Sequence, residues 1–219
     1  MDLFKHTLYI NLDSRTDRLE HVTNELKKMD INAERVKAVK LENGAVGCTM
    51  SHIKCLELAQ KRDYEHVFIC EDDILFLDPA LYKEKIQKFV NIKTDWDVLI
   101  VGGNTAPPYQ KITDDCIRVF HSQTTTGYIV KKHYYSTLIN NFKESAKMLL
   151  ANPTNKFHYA LDKYWLRLQK ENLFVMLIPP TVIQYESYSD IEEKEVNYQR
   201  LMLDMEKKWL APQFYMNFT

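Results

Sequence analysis

His66-Val67-Phe68-Ile69-Cys70-Glu71-Asp72-Asp73 is the stretch on which the fold turns: a β-prone, largely apolar run passes straight into three carboxylates, and a second apolar run, Ile74–Leu77, follows at once. A short continuous apolar run of this kind reads as a strand buried on both faces, the pattern of a parallel sheet covered by helices. Its neighbours fit that frame. Upstream, Thr7–Leu12 reads as a buried strand, Leu19, Val22, Leu26 and Met29 form one helical stripe, and Glu34–Val39 is a weaker strand. Asn43–Gly47 reads as a turn, after which Cys48 or Thr49 opens a helix carrying Met50, Ile53, Leu56 and Ala59. Downstream, Pro79 starts a helix with Tyr82, Ile86, Phe89 and Val90 on its face, and Trp96–Val101 is a strand stopped by Gly102-Gly103. Beyond a Pro107-Pro108 loop come short strands at Ile117–Phe120 and Thr126–Val130. Helices follow over Lys132–Leu150 and His158–Lys170, then a strand over Leu173–Ile178 and a tail that turns helical after Asp190. Strands alternating with helices predict an α/β fold, a mostly parallel sheet with helices on both faces. No linker-like or repetitive tract divides the chain, so residues 1–219 read as a single domain.

Composition narrows the function. With 45% apolar and 27% charged residues the 219-residue chain is of ordinary globular make-up, and a net charge of −1 gives no electrostatic footprint for nucleic acid. Five glycines are about a third of the usual share, and no Gly-Lys-Ser/Thr or G-x-G-x-x-G occurs, which excludes a P-loop and a dinucleotide fingerprint. A phosphate would have to be held by a metal or by side chains. Cys48, Cys55, Cys70 and Cys116 form no C-x-x-C pair and suit a reducing compartment, with Cys55 and Cys70 reading as small core residues. The first residues lack a signal-peptide run, and the longest uncharged stretch is broken by Pro179-Pro180. The expectation is therefore a cytoplasmic or membrane-peripheral protein with no signal peptide or transmembrane segment and no nucleic-acid partner; the sequence sets no oligomeric state.

Glu71, Asp72 and Asp73 carry the chemistry. In open α/β sheets ligands bind beyond the carboxyl ends of the strands, where these acids fall. Period-two alternation puts Glu71 and Asp73 on one side and Asp72 on the other. Three charges inside so apolar a segment are costly unless paired or metal-bound. Carboxylates so placed suit a hard cation, Mn²⁺ or Mg²⁺, that bridges to phosphates and neutralises a diphosphate leaving group. The competing readings are acids that merely end a strand and solvate a turn, and a metal-dependent nuclease or phosphatase. The latter lacks a second set of carboxylates at metal spacing.

Further blocks carry a resemblance. Tyr9-Ile10-Asn11-Leu12-Asp13-Ser14-Arg15-Thr16-Asp17-Arg18 is similar to the opening motif of glycosyltransferase family 25, the lipooligosaccharide and procollagen galactosyltransferase group. Gly47-Cys48-Thr49-Met50-Ser51-His52, Glu71-Asp72-Asp73, Thr126-Gly127-Tyr128-Ile129-Val130, Leu161-Asp162-Lys163-Tyr164-Trp165 and Ser187-Tyr188-Ser189-Asp190 resemble its later blocks, in order, over most of the chain. The resemblance implies a GT-A fold, a Rossmann-like αβα sandwich. It also implies an inverting, metal-dependent transferase that moves a hexose, often galactose, from a UDP-sugar to a hydroxyl on a glycan, a lipooligosaccharide or a collagen-like protein. An inactive nucleotide-sugar-binding module of the same fold is the alternative. One departure is Glu71, where the family pattern has aspartate; its longer reach bears on the ribose contact.

On this resemblance Asn11, Arg15, Arg18, Lys40, Ser51, His52, Glu71 and Asp72 are expected to bind the nucleotide sugar, and Asp73 and Asp190 the metal. An arginine fork suits a diphosphate, Lys40 would lie beside the base, and Ser51 and His52 would sit in the anion-favouring first turns of a helix. The plain alternatives are solvated or capping roles for the arginines and Ser51, and a half-buried histidine. Asp162 is the candidate general base, since inverting transfer needs one group to take the acceptor's proton and its apolar, aromatic setting would raise its proton affinity. Its alternative is a helix-start acid paired with Lys163. Ser189 would join the phosphate or metal shell or cap a helix, and Tyr109, Trp165, Tyr185 and Tyr188 are candidates to stack on a sugar.

Overall fold

The computed structural model describes residues 2–92 and 94–209. The first half alternates as expected: β1 (Thr7–Asn11), α1 (Thr16–Lys28), β2 (Ala33–Lys37), α2 (Gly44–Lys61), β3 (His66–Glu71), the short β4 (Ile74–Phe76) and α3 (Pro79–Phe89). The second half runs through β5 (Val98–Thr105), β6 (Tyr109–Thr113), β7 (Cys116–Val119), β8 (Ser122–Lys131), α4 (Tyr135–Ala151), α5 (Lys156–Tyr159), α6 (Leu161–Tyr164), α7 (Leu166–Glu171), β9 (Phe174–Leu177), β10 (Val182–Gln184), β11 (Ser187–Ser189), β12 (Lys194–Val196) and α8 (Gln199–Leu203).

An eight-stranded sheet has the order β2-β1-β3-β8-β5-β9-β7-β6. β2, β1 and β3 pair in parallel, β8 runs against both β3 and β5, β9 is parallel to β5, and β7 and β6 alternate at the far edge. Only β7 and β8 therefore point against the rest, and the expectation of a mostly parallel direction holds. Each strand of the centre feeds two cores, as period-two geometry requires. Val67 and Ile69 pack with Ile53, Leu56, Leu138 and Phe142 of α2 and α4 on one face, while Phe68 and Cys70 pack with Val22, Leu26, Tyr82 and Ile86 of α1 and α3 on the other. Truncating any of these fully buried aliphatic side chains to alanine should cost about 2–5 kcal/mol.

Four sequence expectations are corrected. α2 begins at Gly44 rather than at Cys48 or Thr49, because Asn43 caps it by accepting from the Val46 amide at 3.2 Å. The glycines read as a turn lie inside it, and Gly47 is required there: a Cβ would stand 2.5 Å from the Val39 carbonyl oxygen. Gly102-Gly103 does not stop β5 but sits at shifts in its register with β8, where a Cβ on Gly103 would meet Ser122 Oγ at 2.5 Å. The helix expected over His158–Lys170 is broken into α5, α6 and α7 by an extended Ala160. α4 satisfies carbonyls the break leaves free, Ser145 Oγ donating to Tyr159 O at 2.7 Å and Asn141 Nδ2 to Tyr164 O at 3.4 Å. Lastly, the tail after Asp190 is not at once helical: β11 and β12 pair as a small hairpin across that point, and only α8 is a helix.

Candidate active site

The carboxyl ends of β1, β2 and β3 open on a cavity of about 300 Å³. Asn11, Arg15, Arg18, Lys40, Ser51, His52, Glu71, Asp72, Asp73, Ser189 and Asp190, the expected binding and metal residues, all line it. Asp162 does not. It lines a second cavity of about 410 Å³ that shares Cys48, Glu71, Gln184, Ser189 and Ile191 with the first. The two therefore adjoin, with Glu71 on the common wall.

Alternation breaks at the acids. β3 ends at Glu71 and the chain turns through Asp72-Asp73, so Asp72 and Asp73, not Glu71 and Asp73, lie together. Arg18 Nη1 donates to Asp72 Oδ1 at 3.1 Å and to Asp73 Oδ2 at 2.9 Å. Asn11 Nδ2 donates to Asp72 Oδ2 at 2.7 Å, and Arg35 Nε donates in turn to Asn11 Oδ1 at 3.0 Å. Gln184 Nε2 donates to Asp73 Oδ2 at 2.8 Å. Asp73 Oδ1, also buried, has no hydrogen-bond partner. Burial, then the nearby Glu71 charge, push the Asp73 carboxyl up to about 7 against the pull of Arg18.

Glu71 faces the other way. Thr125 Oγ1 donates to its Oε1 at 2.6 Å, and His52 Nε2 lies 3.3 Å from the same oxygen. Burial works to raise its pKa, but these two partners hold it below the ordinary value. His52 Nδ1 is 3.1 Å from Tyr128 Oη. The dipole argument for Ser51 and His52 fails, since α2 starts at Gly44 and both stand two turns into it. Ser51 Oγ donates to Gly47 O and accepts from the Val39 amide, both at 2.8 Å, so its hydroxyl ties the 38–40 loop to α2.

Arg15 and Arg18 also hold β11 over the cavity. Arg15 Nη1 reaches Tyr188 O at 3.0 Å and Asp190 Oδ2 at 2.7 Å, and Arg18 Nη2 reaches Ser187 Oγ at 2.7 Å and Tyr188 O at 3.0 Å. Asp190 is thus paired with Arg15, and Asp73 with Arg18. Lys40 lines the cavity without an ion pair or hydrogen bond to a described residue. In the second cavity, Asp162 Oδ2 accepts from the Thr124 amide at 3.1 Å, and Thr124 has φ 66°, a left-handed conformation unusual for a β-branched residue. Burial raises the Asp162 carboxyl above its ordinary range although Lys163 opposes it. Trp165 is no sugar platform: it is fully buried against Tyr128, Phe142 and Phe174, with Nε1 donating to Ser122 O at 2.9 Å. Tyr185 is exposed and stacked on His21 at 4.2 Å, and Tyr109 lines neither cavity.

Sequence reasoning missed Arg35, Thr125 and Gln184. Gln184 lies in β10, which pairs with β4 directly after the acids, and neither three-residue strand has a periodicity to read. Thr125 stands beside the quoted Thr126–Val130 block and carried no signal of its own.

A curated protein of Haemophilus influenzae (strain Rd), named as a glycosyltransferase, is 28% identical over 92 residues, which make up 32% of this chain and 33% of that protein. The chain thus matches about a third of the length of that relative. Among solved structures, a glycosyltransferase involved in glycosylating the major capsid protein of PBCV-1 is similar at 12% identity, over 79% of this chain and 92% of that one, with a TM-score of 0.46. A Drosophila β1,4-galactosyltransferase 7 mutant, in complex with manganese, UDP-Gal and xylobiose, is similar at 10% identity, over 98% and 80% of the two chains, with a TM-score of 0.40. The sheet, with its parallel β2-β1-β3 half, acids at the end of β3 and helices on both faces, is an α/β sandwich. The sequence profile of Glycosyltransferase family 25 (LPS biosynthesis protein) matches residues 39–163, from the loop after β2 to α6, and the chain belongs to that family.

Proposed function

We propose that the protein is a metal-dependent, inverting glycosyltransferase that moves a hexose, galactose being the first candidate, from a UDP-sugar to an acceptor hydroxyl on a glycan, a lipooligosaccharide or a collagen-like protein. The observation that carries this reading is the pair of adjoining cavities: one lined by arginines and the acidic turn, the other holding the half-buried Asp162 carboxylate, with Glu71 between them. Asp73 Oδ1, a buried oxygen lacking a partner, is the atom that fits a hard cation. Asp73, with Asp190 from the β11 segment on the same cavity, would hold Mn²⁺ or Mg²⁺. Such an ion, when bound, neutralises charge on the diphosphate.

The chain's own residues do the rest. Arg15 and Arg18 exchange part of their hydrogen bonding with β11 for the diphosphate oxygens. Asn11, Lys40 and Asp72 border the nucleoside, and Glu71, fixed by Thr125 and His52, faces the sugar at the junction. An acceptor in the second cavity presents its hydroxyl to Asp162, which takes the proton. The freed oxygen attacks the anomeric carbon opposite the diphosphate, the carbon–oxygen bond to UDP breaks, and the configuration inverts.

A thermal-shift screen of UDP-, GDP- and CMP-sugars with and without Mn²⁺ tests the reading. A UDP-sugar with Mn²⁺ at a hundredfold over its dissociation constant should stabilise by about 2.7 kcal/mol, roughly 5–10 °C for a chain of this size, and Asp73→Asn should lose the Mn²⁺-dependent part. Stabilisation by another nucleotide sugar alone, or a shift indifferent to Mn²⁺, would overturn the donor or the metal assignment respectively.

A further inference from the structure

Cys48 and Glu71, on the wall shared by the two cavities, form with the buried His52 of the first cavity a donor set of a different chemical character from the oxygen-rich acidic turn. Cys48 Sγ, a ring nitrogen of His52 and a carboxylate oxygen of Glu71 lie within 4.8 Å of one another. Cys48 and His52 are four residues apart in α2 and so share one of its faces, while Glu71 closes β3 opposite them. In a tetrahedral zinc site, metal–nitrogen and metal–oxygen bonds of about 2.0–2.1 Å place those two atoms about 3.3 Å apart, and a metal–sulfur bond of about 2.3 Å places sulfur about 3.6 Å from nitrogen. His52 Nε2 and Glu71 Oε1 stand 3.3 Å apart. One edge of the tetrahedron is already built, and only the thiol has to close in.

The surroundings have the form of an outer shell. Tyr128 Oη, 3.1 Å from His52 Nδ1, orients the imidazole, and a hydroxyl can donate or accept there as the tautomer requires. Thr125 Oγ1 fixes the Glu71 carboxylate at 2.6 Å. Cys48 and Glu71 line both cavities, so an ion has an entry path. Thiolate and imidazole donors prefer a borderline-soft cation, whereas Mn²⁺ and Mg²⁺ prefer oxygen. We infer that Cys48, His52 and Glu71 form a three-ligand site for Zn²⁺, separate from the acidic turn. Binding forms metal–sulfur, metal–nitrogen and metal–oxygen bonds, and the Cys48 proton passes to solvent. On the transferase reading, zinc there withdraws Glu71 from the sugar and inhibits; the binding itself does not depend on that reading.

Cobalt reports on it without any turnover. The reduced full chain titrated with Co²⁺ should develop a thiolate-to-cobalt charge-transfer band that equimolar Zn²⁺ bleaches and excess Mn²⁺ does not. The other cysteines, Cys55, Cys70 and Cys116, are completely buried, so the band reports on Cys48. Cys48→Ser should abolish it and weaken Zn²⁺ binding in calorimetry by more than the roughly 10–100-fold that outer-shell partners are worth. Glu71→Gln should keep the band and lower the affinity. Should Cys48→Ser not fold, alkylation of the wild-type chain decides, since Zn²⁺ must protect Cys48 from iodoacetamide. Cobalt binding without a thiolate band, a band surviving in Cys48→Ser, or alkylation unaffected by Zn²⁺ would each overturn the site.

Discussion

Replacing Asp162 by asparagine and by alanine separates a base from a structural acid, because the structure sets different magnitudes for the two roles. The carboxylate accepts from the amide of Thr124, a residue held at φ 66°. Asparagine keeps an oxygen for that amide and forfeits only the charge-assisted part of the bond, about 1 kcal/mol, or roughly 2–4 °C in a protein of this length. Alanine leaves that part-buried amide without its partner, costing about 1–3 kcal/mol. A structural role therefore makes alanine clearly worse than asparagine in melting temperature and leaves the turnover of folded enzyme intact in both. A base predicts otherwise: both variants lose transfer by about 10²–10⁴-fold, a barrier increase of about 2.7–5.5 kcal/mol, with UDP affinity unchanged. The pH profile adds a sign. A base acts only when ionised, and burial raises the Asp162 carboxyl, so transfer should fall on acidification at a pH above the ordinary carboxylate range. The assays are UDP release with acceptor present, calorimetry with UDP and Mn²⁺, and thermal melts. Normal turnover by folded Asp162→Asn would refute the base, and a matching fall in UDP and Mn²⁺ binding would make Asp162 part of the donor site instead.

Arg18→Ala leaves Asp72 and Asp73 buried without their shared cation, a loss of about 3–5 kcal/mol. Because the Asp73 pKa, already about 7 with Arg18 present, rises further, the deficit in melting temperature should shrink between pH 8 and pH 5.5; a pH-independent deficit would refute the charge argument. Gly47→Ala gains up to about 1 kcal/mol of helix propensity yet should lower the melting temperature, since its Cβ meets the Val39 carbonyl at 2.5 Å; a stabilised variant would show that the 39–41 loop moves freely. Glu71→Asp withdraws the carboxylate from Thr125 and His52, and loss of one such bond, on the order of 1.4 kcal/mol, should slow transfer about tenfold; an unimpaired variant would mean that the longer side chain is not used.

The parts of the molecule that burial dictates were legible in the sequence. β1, β3, β9 and α3 follow from runs and stripes of apolar residues, and the acids after β3 were placed at the correct end of the sheet. Features set by a single close contact were not. A glycine-rich stretch reads as a turn unless one knows that Val39 O presses on Gly47, and that error moved the start of α2 and with it the meaning of Ser51 and His52. The break at Ala160 has no local signal, because its compensation comes from Ser145 and Asn141 on a different helix. The local geometry of Asp72-Asp73 departs from the expected alternation for the same kind of reason, since alternation holds only while the chain remains a strand.

The charges of the first cavity argue for the proposed cation independently of any motif. Glu42, Glu71, Asp72, Asp73 and Asp190 line it against Arg15, Arg18 and Lys40, a formal balance of −2. Both arginines are already committed to carboxylates. A UDP diphosphate would add about −2 more. Like charges about 4 Å apart near a protein surface repel by roughly 4 kcal/mol at an effective dielectric of 20, so a diphosphate entering unaided meets a barrier that two shared guanidinium groups cannot remove. A divalent ion restores the balance that existed before the diphosphate entered. It also supplies a partner for the unpaired Asp73 oxygen and keeps Asp73 ionised at a pH near its raised pKa. In metal-free protein, Asp73 takes up a proton on folding between its ordinary value and about 7, so its contribution to stability is lost as pH rises through that window. The stabilisation conferred by Mn²⁺ should therefore grow over the same interval and level off above it, and a Mn²⁺ effect that is flat from pH 5 to pH 8 would remove Asp73 from the metal site.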